Sequence, residues 1–335
     1  MWWHVQPVRH KESNGTMIRA VGLLSGGLDS TLAAKLLIDQ GIEVFAVNFT
    51  SPFCTCTPKS AGCASVITAV RQLGGIPLKR IAMGQDYLDM VRAPKHGYGR
   101  GMNPCIDCRI LKLKKAAEYM KEIGAQFLFT GEVLGQRPMS QHRRALAVIS
   151  EESGIGDLIV RPLSAQVLDP TVPEKEGWVD RARLLAIVGR SRKQQMSLTN
   201  DKGILEYSCP AGGCLLTDGN FAARLKDYFD NTACPALRDM ALLRIGRHYR
   251  TGKGDWIIVS RDEPEGERLE AVHRSDAVLL LPENFSAPVV LVVGSDLREG
   301  VAKMLLHTHK AIPSDALLRV RSDASARVLT RQEWP

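Results

Sequence analysis

The chain contains 335 residues, of which 44% are hydrophobic and 24% are charged, and its formal net charge is +8. This length supports roughly two domains with sizeable cores. No run approaches the ~18 uninterrupted apolar residues of a membrane span, and the first sixteen residues lack the apolar segment of a signal peptide. We therefore expect a cytoplasmic protein with no membrane partner. The positive charge favours a polyanionic partner, nucleic acid first, although a basic soluble enzyme is the alternative.

Apolar strands alternate with amphipathic helices from residue 17 to about residue 165, which predicts an α/β fold with a doubly wound, mainly parallel sheet. The predicted strands are "MIRAVGLL", "IEVFAVNF", "PLKRIAMG", "AQFLFTGEV" and "DLIVRPL". The helices between them are "STLAAKLLIDQG", "ASVITAVRQLGG" and "CRILKLKKAAEYMKEIG", and all three end at glycine, as helices often do.

The pattern then changes twice. Residues from about 170 to 230 are predicted to be mostly helical, as in "GWVDRARLLAIVG" and "NFAARLKDYFDN". Beyond Cys234 come short strands, "LLRIGRHYR", "WIIVSR", "DAVLLLP" and "PVVLVVG", and one helix, "AKMLLHTHK", which predict a small α+β domain. The sequence thus divides into an N-terminal tail (1–16), an α/β domain (17–233) and a C-terminal domain (234–335).

The stretch "SGGLDS", Ser25 to Ser30, follows the first predicted strand and opens the first helix. Gly26 and Gly27 permit a tight turn whose N–H groups point inward. The two serine hydroxyls and the positive end of the helix add to it, so this loop suits a pyrophosphate. Because a carboxylate repels phosphate, Asp29 is expected to hold Mg²⁺ or to stabilise the loop. An ordinary glycine turn with an Asp or Ser helix cap is the alternative.

These six residues, with Leu28 at the variable position, resemble the SGGxDS signature of the PP-loop ATP pyrophosphatases. The resemblance implies an adenine nucleotide alpha hydrolase-like fold that binds ATP and Mg²⁺. It also implies the reaction, in which ATP is cleaved between its α and β phosphates and a substrate oxygen is adenylated. A nitrogen or sulfur nucleophile then displaces AMP.

The stretch "TGEVLGQRPMSQ", residues 130–141, starts at the carboxyl end of a predicted strand, where open α/β sheets bind ligands. It resembles the TGxxLGQxxSQ element of the tRNA 4-thiouridine synthetases (ThiI-type), and "VRPL", residues 160–163, resembles the segment that follows. The resemblance covers roughly residues 17 to 220. It implies nucleotide-site roles for four residues: Thr130, Gly131, Gln136 and Ser140. Neither the N-terminal RNA-binding module of that branch nor a rhodanese domain is recognisable.

Two cysteine motifs accompany these loops. "NPCIDC" places Cys105 and Cys108 at a helix start, which is expected to lower a thiol pKa. The motif resembles the NPDxxC element of the tRNA 2-thiouridylases and implies a catalytic role for Cys108, although Cys105 replaces the aspartate of that element. "YSCPAGGC" adds Cys209 and Cys214, near the position of the reactive cysteine in the 4-thiouridine family.

A CxxC pair with one distant cysteine is the ligand set of the iron–sulfur PP-loop thiolases. This likeness implies a [4Fe–4S] cluster on Cys105, Cys108 and either Cys209 or Cys214. A persulfide or disulfide pair is one alternative, and a zinc or purely structural site is another. Sulfide or a carrier protein is the expected sulfur donor. Another cysteine group receives no role: Cys54, Cys56 and Cys63.

Basic residues crowd the start of the C-terminal domain, and the tyrosine and tryptophan among them, Tyr249 and Trp256, suit base stacking beside phosphate contacts. This segment resembles the RNA-binding domain of the NFACT family; a charged edge strand is the alternative. "GRSRKQQ", residues 189–195, is a second basic candidate. The residues predicted to bind RNA are Arg109, Lys112, Arg244, Arg247, Arg250 and Lys253.

Together these resemblances imply an ATP-dependent tRNA uridine sulfurtransferase. Its expected catalytic residues are Asp29, Cys108, Cys209 and Cys214. A PP-loop enzyme that modifies a small metabolite and an RNA-binding adaptor with a degenerate nucleotide domain are the alternatives. The sequence determines neither the modified tRNA position nor the oligomeric state.

Overall fold

A computed structural model describes residues 12–13, 16–55, 61–207 and 214–335. The described chain forms two compact units, one that ends at Gly219 and one from Asn220 to Pro335. The predicted boundary between residues 233 and 234 stays a prediction of where the RNA-binding module begins. Most of the predicted N-terminal tail lies outside the described residues. Within it, β1 (Glu12–Ser13) pairs antiparallel with β2 (Thr16–Met17).

The first unit is built on a sheet of five strands, all parallel, in the order β5-β4-β3-β6-β7. The strands are β3 (Arg19–Leu23), β4 (Glu43–Thr50), β5 (Leu78–Ala82), β6 (Phe127–Thr130) and β7 (Ile159–Val160). All five coincide with predicted apolar runs. The inner strands β3 and β6 read as continuous hydrophobic segments because they are buried on both faces, whereas the edge strand β5 is only partly buried. The central strand β3 leads directly into the SGGLDS loop.

Helices cover both faces of this sheet. One core joins the inner sides of the first two helices to Ala20 and Phe129, and the other joins later helices to Val21 and Leu128. Neighbouring residues of a strand thus enter opposite cores, which confirms the doubly wound α/β fold. The helices of the first unit are α1 (Leu28–Ile38), α2 (Ala61–Gln72), α3 (Gln85–Arg92), α4 (Cys105–Glu122), α5 (Arg143–Glu152), α6 (Val172–Lys175) and α7 (Lys193–Asp201). The next helix, α8 (Gly219–Asp230), begins at the boundary and belongs to the second unit. Within the described ranges, no helix is long and apolar enough to cross a membrane.

The helix predicted for residues 177–189 is wrong. Only a short 3₁₀ turn forms there, Arg181–Arg183, and the chain then runs extended beside the loop that follows β6. The buried side chains of Leu184 and Ile187 enter the core under α1, and the Ser164 hydroxyl donates to the carbonyl of Ile187 at 2.6 Å. The apolar spacing therefore reflects packing of an extended segment. The helix predicted for residues 220–231 is confirmed by α8.

The second unit contains a six-stranded antiparallel sheet in the order β13-β12-β10-β11-β9-β8. Its strands are β8 (Arg247–Arg250), β9 (Trp256–Val259), β10 (Ala277–Pro282), β11 (Val290–Val293), β12 (Leu317–Arg321) and β13 (Ala326–Thr330), and its helices besides α8 are α9 (Glu263–Glu270) and α10 (Leu297–Leu306). This architecture confirms a separate C-terminal α+β domain. The sequence did not predict α9, β12 or β13. The first predicted strand begins only at Arg247, because a 3₁₀ helix occupies Leu237–Arg244.

Candidate active site

The SGGLDS loop makes a tight, internally bonded turn between β3 and α1. Gly26 has φ of 75°, in the left-handed region that favours glycine. The hydroxyls of Ser25 and Ser30 lie 3.1 Å apart, and Ser30 Oγ donates to the carbonyl of Gly27 at 3.1 Å. The N-cap residue of α1 is Gly27, which offers no side chain to the first N–H groups of the helix. The positive end of the helix suits a bound anion.

The loop after β6, residues 130–141, lies directly against the SGGLDS loop. A Cβ at Gly131 would be 2.5 Å from the backbone nitrogen of Ser30, so this close approach requires glycine. Gln136 Nε2 donates to Asp29 Oδ2 at 2.7 Å. The buried Thr130 hydroxyl donates to Glu132 at 3.1 Å, and Ser140 is also buried. The structure therefore brings Gly131 and Gln136 to the candidate phosphate loop and turns Thr130 towards an acidic neighbour.

Asp29 is only partly satisfied by the residues around it. Its Oδ2 atom accepts from Gln136 and lies 3.7 Å from the guanidinium of Arg192. Its Oδ1 atom is buried and has no hydrogen-bond partner among the described residues. A buried carboxylate oxygen without a partner is costly, and Mg²⁺ prefers such an oxygen as a ligand. Asp29 therefore fits the Mg²⁺ role predicted from the sequence.

A buried carboxylate ties these loops to the cysteine-bearing helix α4. Glu132 is 2% exposed and accepts from Arg161 Nε at 3.1 Å, while Arg109 Nε lies 3.6 Å from its other oxygen. Burial opposes ionisation of Glu132, but the two guanidinium groups outweigh it and lower the pKa of this carboxyl. Arg109, predicted to bind RNA, is thus held within the candidate active site. The sequence did not predict the contact between Glu132 and Arg109. Its only hint of a buried ion pair was the arginine of "VRPL", Arg161.

Four cysteines of the described residues gather beside the start of α4: Cys54, Cys105, Cys108 and Cys214. Cys54 and Cys214 face each other in an isolated antiparallel β-bridge. The N–H of Met102 donates to the carbonyl of Leu216 at 2.9 Å and holds this segment against the CxxC motif. Cys214 also interacts electrostatically with both cysteines of the motif. The structure thus places Cys214 with the CxxC pair.

These thiols lie in a poorly hydrated place. Burial raises the pKa of Cys214 to about 11. Burial, followed by the neighbouring Cys108, also raises the pKa of Cys105, although Arg109 and Arg137 act in the opposite direction. The lowered thiol pKa expected at a helix start is therefore wrong for Cys105, because desolvation outweighs the helix end. The Tyr87 hydroxyl lies 3.6 Å from Cys108 Sγ.

The four neighbouring cysteines offer the donor atoms of an iron–sulfur site, but their side chains are not arranged around one metal position. Within the described ranges, no three Cys, His, Asp or Glu side chains are arranged as a metal site. Soft thiol donors from two separate segments nevertheless lie together, and the nearby charge of Lys112 would offset that of thiolates. The residues present therefore fit a cluster in chemistry. Cys209 and Cys56 lie outside the described residues, as does the side chain of Cys63.

The second unit carries a basic face on its edge strand β8 and on helix α10. Arg247 is exposed, and the hydroxyl of Tyr249 lies 2.6 Å from His307 Nε2. The ammonium of Lys303 lies 5.2 Å from the centre of the Tyr249 ring. Burial lowers the pKa of His307, and the charges of Arg247, His309 and Lys303 lower it further. We call Arg247, Tyr249, Lys303 and His307 the β8–α10 face.

Arg250 and Trp256 point to the other side of β8. Trp256 is 4% exposed, so the stacking role expected for it is wrong. Arg250 Nε donates to Asp227 at 2.8 Å, and its guanidinium lies 5.5 Å from the Trp256 ring centre. Lys253 is exposed, and its ammonium lies 3.9 Å from a carboxylate oxygen of Asp296. Arg244 is half-buried at the end of the preceding 3₁₀ helix.

Comparison with known proteins supports both units. A family described as thiamine biosynthesis protein (ThiI) matches residues 15–169, and the NFACT protein RNA binding domain matches residues 246–304. A tRNA-specific 2-thiouridylase of Marinobacter nauticus is 32% identical over 311 residues, which cover 82% of this chain and 75% of that protein. A tRNA-specific 2-thiouridylase of Dichelobacter nodosus is 25% identical over 222 residues, covering 62% of this chain and 54% of its own length.

Among solved structures, a 4-thiouridine synthetase in complex with RNA and ATP has a TM-score of 0.39 and 20% identity. The matched region covers 68% of this chain and 52% of the synthetase chain. The chain thus spans about half the length of the Dichelobacter relative and of this synthetase.

A five-stranded parallel sheet whose central strand ends in SGGLDS defines an α/β domain of the PP-loop class. The Marinobacter relative, a tRNA-specific 2-thiouridylase, is 32% identical and is covered over 75% of its length, and this similarity establishes the family of the chain. The chain belongs to the PP-loop family of tRNA thiouridylases and sulfurtransferases, and it carries an NFACT-type RNA-binding domain.

Proposed function

We propose that this protein replaces a carbonyl oxygen of a tRNA uridine by sulfur at the expense of ATP. The observation that carries the proposal is one assembly in which the SGGLDS loop, the loop after β6 and a group of thiols are joined. Asp29 contacts Gln136, and Glu132 of the same loop contacts Arg109 of the thiol-bearing helix. The loop after β6 therefore contacts both the proposed nucleotide site and the helix that carries the thiols.

The residues of the SGGLDS loop hold the leaving pyrophosphate. Backbone N–H groups of the turn, together with Ser25 and Ser30, surround the β and γ phosphates. Asp29 would hold Mg²⁺ through its unpartnered oxygen, and the ion would offset the phosphate charge. Gly131 lets the second loop approach, and Gln136 holds the other oxygen of Asp29. These residues place the reactants and stabilise charge.

The proposed reaction balances without a redox step. The uridine carbonyl oxygen forms a bond to the α-phosphorus as pyrophosphate departs. Hydrosulfide then adds to the carbon that carries this oxygen. The carbon–oxygen bond breaks, AMP leaves with the oxygen, and a proton is released. The products are thiouridine, AMP and pyrophosphate. Sulfide itself or a carrier protein supplies the sulfur.

We assign the sulfur site to Cys105, Cys108 and Cys214, which would hold a [4Fe–4S] cluster. Held by three thiolates, such a cluster would offer one iron to the incoming sulfide. The support is the position of Cys214 beside the CxxC motif. A persulfide on Cys108 or Cys214 is the second candidate, because Cys108 lies near enough to Cys214 to raise its pKa and could act as the second thiol. It would need a second thiol to release the sulfur.

The C-terminal domain, taken as residues 234–335, is proposed to bind tRNA through the β8–α10 face. Positive charges there surround a tyrosine ring, which suits phosphates and a stacked base. This assignment keeps Arg247 from the sequence prediction and adds Lys303 and His307. It leaves Arg250 in a structural role. A location in the cytoplasm accompanies this proposal and is untested.

The test is an anaerobic assay of the purified protein with ATP, sulfide and unmodified tRNA. AMP, pyrophosphate and thiolated nucleoside should appear in equal amounts. Thiolation of a small metabolite without tRNA would favour the metabolite enzyme. Tight tRNA binding without nucleotide cleavage would favour an adaptor.

A further inference from the structure

Three arginines converge between the SGGLDS loop and the thiols: Arg109, Arg137 and Arg192. Two of them have a carboxylate partner. Arg109 lies 3.6 Å from Glu132, and Arg192 lies 3.7 Å from Asp29. Arg137 forms no ion pair with the carboxylates of the described residues. It follows Gln136, the residue that bonds to Asp29, so the loop holds it at the mouth of the phosphate site.

The surroundings of Arg137 place it between the two halves of the reaction. The preceding residue, Gln136, bonds to Asp29, and both Asp29 and Cys105 lie near enough to Arg137 to favour its charged form. Loss of hydration, followed by the charge of Arg109, lowers the pKa of Arg137, yet the residue as a whole is exposed and open to a ligand. A cation among other cations, without a counter-ion in the described chain, is the arrangement expected of an anion site.

Resting on the proposed function, we propose that Arg137 binds the α-phosphate of the nucleotide. The pyrophosphate belongs at the SGGLDS loop and the sulfur at the thiols, and the α-phosphate is the group that lies between them during the reaction. Arg137 then contacts this phosphate in ATP and in the adenylated uridine, and it stabilises the charge on AMP as AMP leaves. A guanidinium suits this task because it donates two parallel hydrogen bonds to phosphate oxygens.

The competing partners of Arg137 are a phosphate of the RNA backbone and the incoming sulfide. They are separated from the α-phosphate by comparing AMP with adenosine, which differ only in that phosphate. Neither ligand requires tRNA, sulfide or a metal ion to be present. Arg144, an exposed arginine of α5 in the same unit, provides a matched control for loss of one positive charge.

The experiment is calorimetric titration of the full chain with AMP and with adenosine. We expect Arg137→Gln to weaken AMP binding by about 10-fold or more and to leave adenosine binding unchanged. Arg137→Lys should recover part of the loss, and Arg144→Gln should bind both ligands as the wild type does. Unchanged AMP affinity in Arg137→Gln would overturn this inference and leave the proposed function intact. Equal loss of AMP and adenosine would also overturn it, and a wild-type protein that binds neither would overturn both proposals.

Discussion

Gln136 donates a hydrogen bond of 2.7 Å to Asp29 across a separation of 107 residues in the chain. This bond occupies one oxygen of Asp29 and leaves the other, buried oxygen without a partner among the described residues. In the proposed function, the unpartnered oxygen of Asp29 holds Mg²⁺. That role would account for a carboxylate in a loop proposed to bind phosphate.

The first prediction concerns this carboxylate. Asp29→Asn keeps the shape of the side chain but removes the charge, so pyrophosphate release with tRNA as acceptor should fall by about 100-fold or more. Asp157→Asn, which changes an exposed aspartate of the same unit, is the control. Thermal unfolding should remain cooperative in both variants. Wild-type pyrophosphate release in Asp29→Asn would remove Asp29 from the reaction.

The second prediction separates RNA contact from structure on the two sides of β8. Arg247→Glu and Lys303→Glu should each weaken tRNA binding several-fold, and each should reduce the log–log salt slope by about one. Filter binding at several salt concentrations provides the measurement. Arg250→Gln should instead leave the tRNA affinity of the folded protein unchanged. Arg250→Gln should lower the free energy of unfolding by about 1 kcal/mol, because the variant loses the ion pair with Asp227 and the contact with the Trp256 ring.

The opposite result, in which Arg250→Gln weakens tRNA binding at full stability and Arg247→Glu does not, would place RNA on the Arg250 side of β8. The structure opposes this result because the Arg250 guanidinium is already held by a carboxylate and an aromatic ring. Circular dichroism of both variants distinguishes loss of binding from loss of fold.

The third prediction concerns pH. His248 Nε2 donates to the carbonyl of Ile245 at 2.8 Å, and His248 Nδ1 accepts from Trp256 Nε1 at 2.9 Å, so the neutral ring is required. Burial, followed by the charge of Arg224, lowers the pKa of His248 to about 4 from an ordinary value of 6.5. Between pH 6.5 and pH 4, His248 therefore binds a proton in the unfolded chain but not in the folded chain. This stabilisation is complete above pH 6.5 and is lost as the pH falls towards 4, by on the order of 3 kcal/mol.

The variant His248→Gln cannot titrate but still offers a donor and an acceptor. The difference in unfolding free energy between wild type and His248→Gln should therefore shrink between pH 6.5 and pH 4. Replacing the exposed His273 by Gln should not change the pH dependence. A constant difference between wild type and His248→Gln across this range would contradict the buried neutral ring.

The fourth prediction concerns the thiols. Anaerobically purified protein should contain about four irons per chain. Cys105→Ala, Cys108→Ala and Cys214→Ala should each lose the iron and the thiolation but retain ATP binding. Cys54→Ala should keep the iron, although Cys54 faces Cys214 across a β-bridge. Iron-free protein that still thiolates tRNA would exclude the cluster, and a persulfide trapped on Cys108 or Cys214 would then establish the second candidate.

The parallel sheet and the loops at its edge were predictable because their signals are local. Buried strands such as Phe127–Thr130 are continuous apolar runs, and the SGGLDS loop carries its chemistry within six residues. Residues 177–189 show the limit of this reasoning. Leu184 and Ile187 have the spacing of a helix face, but they are buried by an extended segment that crosses the core under α1.

Contacts between distant segments were not predictable. Arg250 has the sequence signature of an RNA-binding residue, and only the fold shows that Asp227 of α8 neutralises it. Lys303 and His307 lie more than fifty positions beyond Tyr249, yet the antiparallel sheet brings all three together. The desolvation that raises the pKa of Cys105 likewise depends on packing around α4, which the CxxC motif does not encode.

Mass spectrometry of tRNA nucleosides from cells that lack this protein tests the proposed function most directly. One thiolated uridine should disappear from the tRNA. It should return when the wild-type chain is supplied and should stay absent with Asp29→Asn. Thiolated nucleosides that are unchanged in the deletion strain would rule out tRNA thiolation by this protein.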